Sequence, residues 1–216
     1  MPIVKSLSAT SLMGILPHFW VLTGALVFLA QSSAFALNPA SIEQALKKAR
    51  IQTISPALPA PDFNLPTLAG GEFSLSDNKG RWLLLTFFAT WCGPCKTEMP
   101  SLQQFHEQFS KRGFDVYGVS TDSAIGIVKP FARSFGLTFP IGVDTKGEAA
   151  RLYQANSIPV SFLISPNGTV VGAARGARDW SRMGQLVESL LAESPPNAQL
   201  PPAYSANATP LTLPSV

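Results

Sequence analysis

Trp82 to Ala89 form an apolar run interrupted only by Thr86, and only Thr90 and Trp91 separate it from Cys92-Gly93-Pro94-Cys95. A run of this length without alternation suits a central strand buried on both faces. Past the cysteines, Met99, Leu102, Phe105 and Phe109 recur at helical spacing, with Pro100 expected to kink the helix in its second turn. A buried strand that turns directly into an amphipathic helix implies an α/β arrangement, and the flanking segments agree. "DFNLPTLAGGEFSLSD" reads as a hairpin around Gly70-Gly71, and "VSFLIS" and "TVVGAA" as a second hairpin across Pro166-Asn167-Gly168. Phe114–Ser120 and "FPIGVD" read as strands and "GEAARLYQ" as a helix. Ile127, Phe131 and Phe135 share a helical face that stops at Gly136, with only its second half expected because of Pro130. Asp179 is placed to cap a last helix whose stripe is Trp180, Met183, Val187, Leu190 and Leu191. The order of these elements predicts an α/β sandwich around a mixed sheet.

The two ends read differently. Lys5, the apolar run Phe19 to Ala30 and the small-x-small triplet Ala34-Phe35-Ala36 have the form of an export signal over residues 1–36. The uncharged stretch Ser11 to Ala36 is also long enough to serve as a membrane anchor, since about 20 apolar residues suffice. Lys47, Lys48 and Arg50 would favour the cytoplasmic side for the chain beyond the apolar run, a bias that a large downstream domain overrides. Residues 37–60 are expected to hold a short helix, Ser41 to Arg50, capped by Ser41 with Gln44, and then the extended linker "TISPALPAPDF". Residues 61–193 form the folded domain. Residues 194–216 are proline-rich and uncharged and are expected to be a disordered tail.

Lys and Arg are scattered, at a formal net charge of +3, so no nucleic-acid footprint is present. The chain contains 2 cysteines, too few for a disulfide-rich scaffold. As a staple the pair is weak: closing a four-residue loop is worth about 2 kcal/mol, against about 3 for fifteen residues. As a structural zinc clip it lacks ligands, because His106 lies about three helical turns beyond Cys95. Copper accepts fewer sulfur ligands, so metal carriage stays open. The reactive reading fits the local chain best. At a helix N-terminus the thiolate of Cys92 is favoured. Gly93 allows close approach, and Pro94 suits a first helical turn. Cys95 then lies inside the turn, so that Cys92 attacks and Cys95 resolves. Proline also removes one donor that could hold the thiolate, which favours a reducing pair.

"FFATWCGPCKTEMP" resembles the active-site segment of thioredoxin-fold proteins. The likeness is to the exported TlpA/ResA-like thiol–disulfide oxidoreductases within the redoxin (AhpC/TSA-like) superfamily. It extends from "APDFNLP" through "TFPIGVD" and "IPVSFLISPNGTVVG" to the last helix, with "KTEMP", "GVSTD" and Ala124–Val143 pointing to this subfamily and its insertion. The resemblance implies a thioredoxin-like fold with a mixed central sheet flanked by helices, an N-terminal β-hairpin and a central insertion. It implies Cys92 as attacking and Cys95 as resolving cysteine, Gly93 and Pro94 as the motif between them, and a cis peptide before Pro159. The backbone of Ile158 would then pair with a substrate strand.

Glu98 matches a family glutamate and stands one turn above Cys95, where a partly buried carboxylate could accept the Cys95 proton. Trp91 is expected to flank the pair as a contact platform. Two departures stand out. Thr86 occupies the place of the buried aspartate of thioredoxins, which shifts proton transfer toward Glu98, and Val160 replaces the usual threonine after the cis proline. His106 is expected to face solvent, and Arg175 and Arg178 to lie on the surface, with substrate docking as the alternative.

The expected activity is that of an exported thiol–disulfide oxidoreductase. It would reduce disulfides of extracytoplasmic proteins, with cytochrome c maturation as one setting, and work in the periplasm or cell envelope. Its redox group would be the Cys92–Cys95 pair, with no other cofactor and no metal. Its partners would be protein dithiols or disulfides and a membrane electron donor, and the chain is expected to be a monomer. The rivals are a peroxiredoxin-like thiol peroxidase and a metal-binding carrier.

Overall fold

A computed structural model describes residues 38–78, 80–193 and 210–212. The N-terminal apolar run, and with it the export-signal reading, lies outside the described residues. Among the described residues no helix is long and apolar enough to cross a membrane.

In chain order the elements are α1 (Pro39–Lys48), β1 (Gln52–Pro59), β2 (Asn64–Pro66), β3 (Glu72–Ser74), β4 (Trp82–Phe88), α2 (Gly93–Phe109), β5 (Phe114–Ser120), α3 (Ile125–Ser134), β6 (Ile141–Val143), α4 (Glu148–Leu152), β7 (Val160–Ile164), β8 (Thr169–Arg175) and α5 (Gly184–Glu193). A six-stranded sheet has the order β1-β8-β7-β4-β5-β6, and β2 with β3 forms a separate two-stranded hairpin. β4 pairs parallel with β5 and antiparallel with β7, so the sheet is mixed, as the resemblance implied.

β4 is buried along its whole length because it sits between β7 and β5 with a core on each face. Trp82, Leu84 and Phe88 join the core that packs under α1, α2, α3 and α5. Leu83, Leu85 and Phe87 join the opposite core, with Phe63, Tyr153 and Phe162. The period-2 projection of a strand thus divides one apolar run between two cores, and each such side chain contributes about 1.5–3 kcal/mol of burial. On β6, Gly142 is dictated by close approach: a Cβ there would lie 2.2 Å from the Tyr117 hydroxyl oxygen.

Several expectations are corrected. The segment read as a linker is the edge strand β1, antiparallel to β8, with its register broken between Thr53 and Leu58, where Pro56 falls. Proline is tolerated there because an edge strand has one unpaired side. α1 begins two residues earlier than expected, with the Asn38 side chain, not Ser41, accepting the Ala40 N–H. α3 runs through Pro130 from Ile125, and its buried face carries Val128, Phe131 and Ala132 while Ile127 is exposed. Pro100 lies inside α2 without ending it. Asp179 precedes a 3-10 turn, Trp180–Arg182, and α5 starts only at Gly184. The tail is not wholly free of the fold: Leu211 is buried in the second core at 3% exposure, and its N–H donates to the Leu152 carbonyl at 2.8 Å. A single leucine finds an apolar seat there, which the composition of the tail did not suggest.

Candidate active site

β4 ends at Phe88 and delivers the chain into a tightly held loop. The Thr90 N–H and hydroxyl donate to the two oxygens of Asp122 at 2.9 and 2.8 Å, and the Ser120 hydroxyl donates to the same carboxylate at 2.7 Å. Asp122 is buried, so these bonds fix the entry to the cysteine motif at a place where an unpaired carboxylate would be costly. The Thr90 hydroxyl is thereby committed to Asp122.

Cys92 is the N-cap of α2, and its sulfur accepts the Cys95 N–H at 3.2 Å. Pro94 falls in the first turn, where a missing N–H costs nothing. Cys92 and Cys95 form a disulfide, with their Cα atoms 5.2 Å apart. Cys95 is fully buried and Cys92 is 5% exposed, so Cys92 is the outer of the two. Opposite stands the Ile158–Pro159 peptide, which is cis, with the Ile158 carbonyl oxygen 3.8 Å from the Cys92 sulfur. The Pro159 carbonyl accepts the Gly176 N–H at 2.9 Å, which ties this loop to the end of β8. Trp91 is 71% exposed beside the pair. The chain thus places a sulfur at the positive end of a helix and a backbone carbonyl across from it, next to an exposed aromatic ring.

Glu98 is not a solvated helix residue but is 1% exposed. One carboxyl oxygen accepts the Trp180 indole N–H, and the other is buried with no hydrogen-bond partner. Burial pushes its pKa up to about 7. The Trp180 N–H, the Arg178 backbone and the Arg178 charge pull in the other direction. At the position of the thioredoxin aspartate, Thr86 is fully buried and accepts the Ser161 hydroxyl at 2.9 Å across the β4–β7 register. That pair satisfies two buried hydroxyls without an ionisable group, which leaves Glu98 as the buried carboxyl of the first turns of α2.

Of the other basic residues, Arg178 lies beside Glu98, and Arg175 ends β8 opposite Val160, next to the cis proline. His106 is half-buried, edge-on to Phe139 at 6.0 Å, and desolvation lowers its pKa. This corrects the solvent-facing expectation. Arg175 is exposed, whereas the Arg178 guanidinium donates to the Arg50 carbonyl at 2.7 Å, beyond the end of α1. Sequence reasoning missed Asp122 and Ser101 and read Trp180 only as an apolar stripe residue. Nothing in the spacing of these residues marks the bonds they make.

A model of the AhpC/TSA family matches residues 56–173. The thiol-disulfide oxidoreductase ResA of Geobacillus kaustophilus is 36% identical over 131 residues, 61% of this chain and 75% of that protein. ResA of Bacillus subtilis is 34% identical over 125 residues, 58% and 70% of the two chains. Among solved structures, StoA from Bacillus subtilis aligns with a TM-score of 0.53 at 31% identity, over 61% of this chain and 99% of that one. A thiol:disulfide interchange protein from Chlorobium tepidum aligns with a TM-score of 0.57 at 30% identity, over 64% and 99%.

Proposed function

Because the chain belongs to the AhpC/TSA family and is a thiol–disulfide oxidoreductase of the ResA type, we propose that it is an exported reductant of disulfides in extracytoplasmic proteins, apocytochrome c among them. The observation that carries this reading is the Cys92–Cys95 disulfide, with Cys92 as the N-cap of α2 and its sulfur facing the cis Ile158–Pro159 peptide.

In the reduced protein the Cys92 thiolate draws on the helix dipole and on the Cys95 N–H that its sulfur already accepts. It attacks one sulfur of a substrate disulfide, forming a mixed disulfide and releasing the other substrate sulfur as a thiolate. The substrate strand lies along Ile158, with Trp91 as a contact surface. Cys95 then gives its proton to Glu98 and attacks the Cys92 sulfur. The Cys92–Cys95 bond forms, and the second substrate sulfur leaves. Two electrons have passed to the substrate, and no cofactor beyond the pair takes part. Outside the cytoplasm no thiol pool restores the pair, so a membrane electron donor re-reduces it. Export rests on the N-terminal apolar run and its Ala34-Phe35-Ala36 triplet. The protein works as a monomer.

Equilibration with glutathione tests the direction. Pro94 supplies no N–H to the thiolate, so the pair is expected near the potential of thioredoxin, about −270 mV, and far from the strong oxidants at about −120 mV. A value above about −180 mV would overturn the reductant reading.

A further inference from the structure

Trp180 is fully enclosed on the 3-10 turn after β8, edge-on to Phe105 at 6.1 Å. Its backbone N–H donates to the Ser101 hydroxyl oxygen at 3.2 Å. That hydroxyl also lies 2.9 Å from the Glu98 carbonyl and 3.2 Å from the Arg178 carbonyl. Ser101 stands one turn along α2 from Glu98, so a single hydroxyl binds the 178–180 segment to the same helix that carries the carboxyl. On the other side, the Arg178 guanidinium holds the Arg50 carbonyl. The indole is therefore fixed by packing, by its own backbone and by the loop before it. From there its N–H reaches one oxygen of Glu98 and leaves the other buried and unpartnered.

We propose that Trp180, latched to α2 through Ser101, is the positioning residue for Glu98: its indole fixes one carboxyl oxygen and reserves the other to take the proton of Cys95. This rests on the role given above to Glu98. An indole N–H only donates, so it cannot follow a proton onto the oxygen it holds. The proton that leaves the Cys95 thiol goes to the free oxygen, and the Cys95 sulfur then attacks Cys92. The same bond favours the charged carboxylate while burial favours the neutral acid, and the balance keeps the group exchangeable near neutral pH. The charged or titratable groups around the carboxyl are Arg178 on the loop and, once reduced, Cys95 one turn below on α2.

The test is an infrared titration of the protonated-carboxyl stretch in the oxidised full-length protein, where neither cysteine titrates. Glu98→Gln identifies the band by its loss. Trp180→Phe keeps an aromatic ring against Phe105 and removes the donor together with the five-membered ring that carries it. The band midpoint, near 7 in the parent, is expected to rise by about one pH unit, as loss of a hydrogen bond to a charged group requires. The pH profile of turnover is expected to move the same way. If Trp180→Phe does not fold, Ser101→Ala loosens the latch with the indole in place, and the midpoint is again expected to rise. An unmoved or lowered midpoint would remove Trp180 from this role. A raised midpoint with turnover profiles unchanged in both Trp180→Phe and Glu98→Gln would instead remove Glu98 from proton transfer, and the proposal with it.

Discussion

The Cys92 sulfur and the Ile158 carbonyl oxygen face each other at 3.8 Å across the cis Ile158–Pro159 peptide. The proposed attacking sulfur and the proposed strand-pairing carbonyl thus adjoin, brought together from residues far apart in the chain. The stability of the fold and the chemistry of this site lead to four expectations.

Glu98 should make stability depend on pH. Its folded pKa, about 7, lies above the ordinary value of 4.5. Between those values the native state holds a proton that the unfolded chain has lost. Stability therefore falls as pH rises from 4.5 to about 7 and levels off above that. In the oxidised protein, Glu98→Gln should flatten this segment and gain on the order of 2–3 kcal/mol at pH 8. Urea unfolding at a series of pH values measures it, and parallel curves for the two proteins would return Glu98 to an ordinary carboxyl.

Gly142→Ala should be destabilising by about 1–3 kcal/mol, because its Cβ would meet the Tyr117 hydroxyl and come within 3.0 Å of the Leu65 Cβ. The Tyr117 hydroxyl is buried without a partner, and burial raises its pKa. Tyr117→Phe alone should therefore be neutral or slightly stabilising. Combined with Gly142→Ala it should recover a large part of the loss. Additive effects in the double variant would show that the two groups do not collide.

Leu211→Ala should cost about 2 kcal/mol, the low end for a buried leucine. Deleting residues 210–216 should cost as much. Thermal or urea unfolding decides this, and a loss below about 0.5 kcal/mol would mean that Leu211 is not seated in the second core.

These residues also mark what could be read from the chain. β4 and α2 were legible because strong apolar periodicity, a helix-starting proline and two cysteines coincide in one short segment. The cis proline and Glu98 came from resemblance. β1 was hidden because two prolines and small side chains resemble a linker, and only pairing with β8, late in the chain, makes it a strand. On α3, Phe131 is buried and Phe135 packs against the core as read, but Val128 takes the place given to Ile127, since the apolar pattern around Pro130 is ambiguous. Trp180, Ser101 and Asp122 were invisible as site residues because each acts through hydrogen bonds that include a partner distant in sequence. Periodicity reports which side of an element is buried and carries no record of such bonds.

The proposed cycle turns on Cys92 attacking and Cys95 resolving. Cys92 is the outer sulfur at the helix N-terminus, and Cys95 is enclosed one turn in. The direct test compares Cys95→Ser with Cys92→Ser in cells, quenched with acid and resolved on non-reducing gels. Cys95→Ser should accumulate mixed disulfides with protein substrates, because nothing remains to release them. Cys92→Ser should trap almost none. Equal trapping by both variants, or trapping by Cys92→Ser alone, would contradict the assignment.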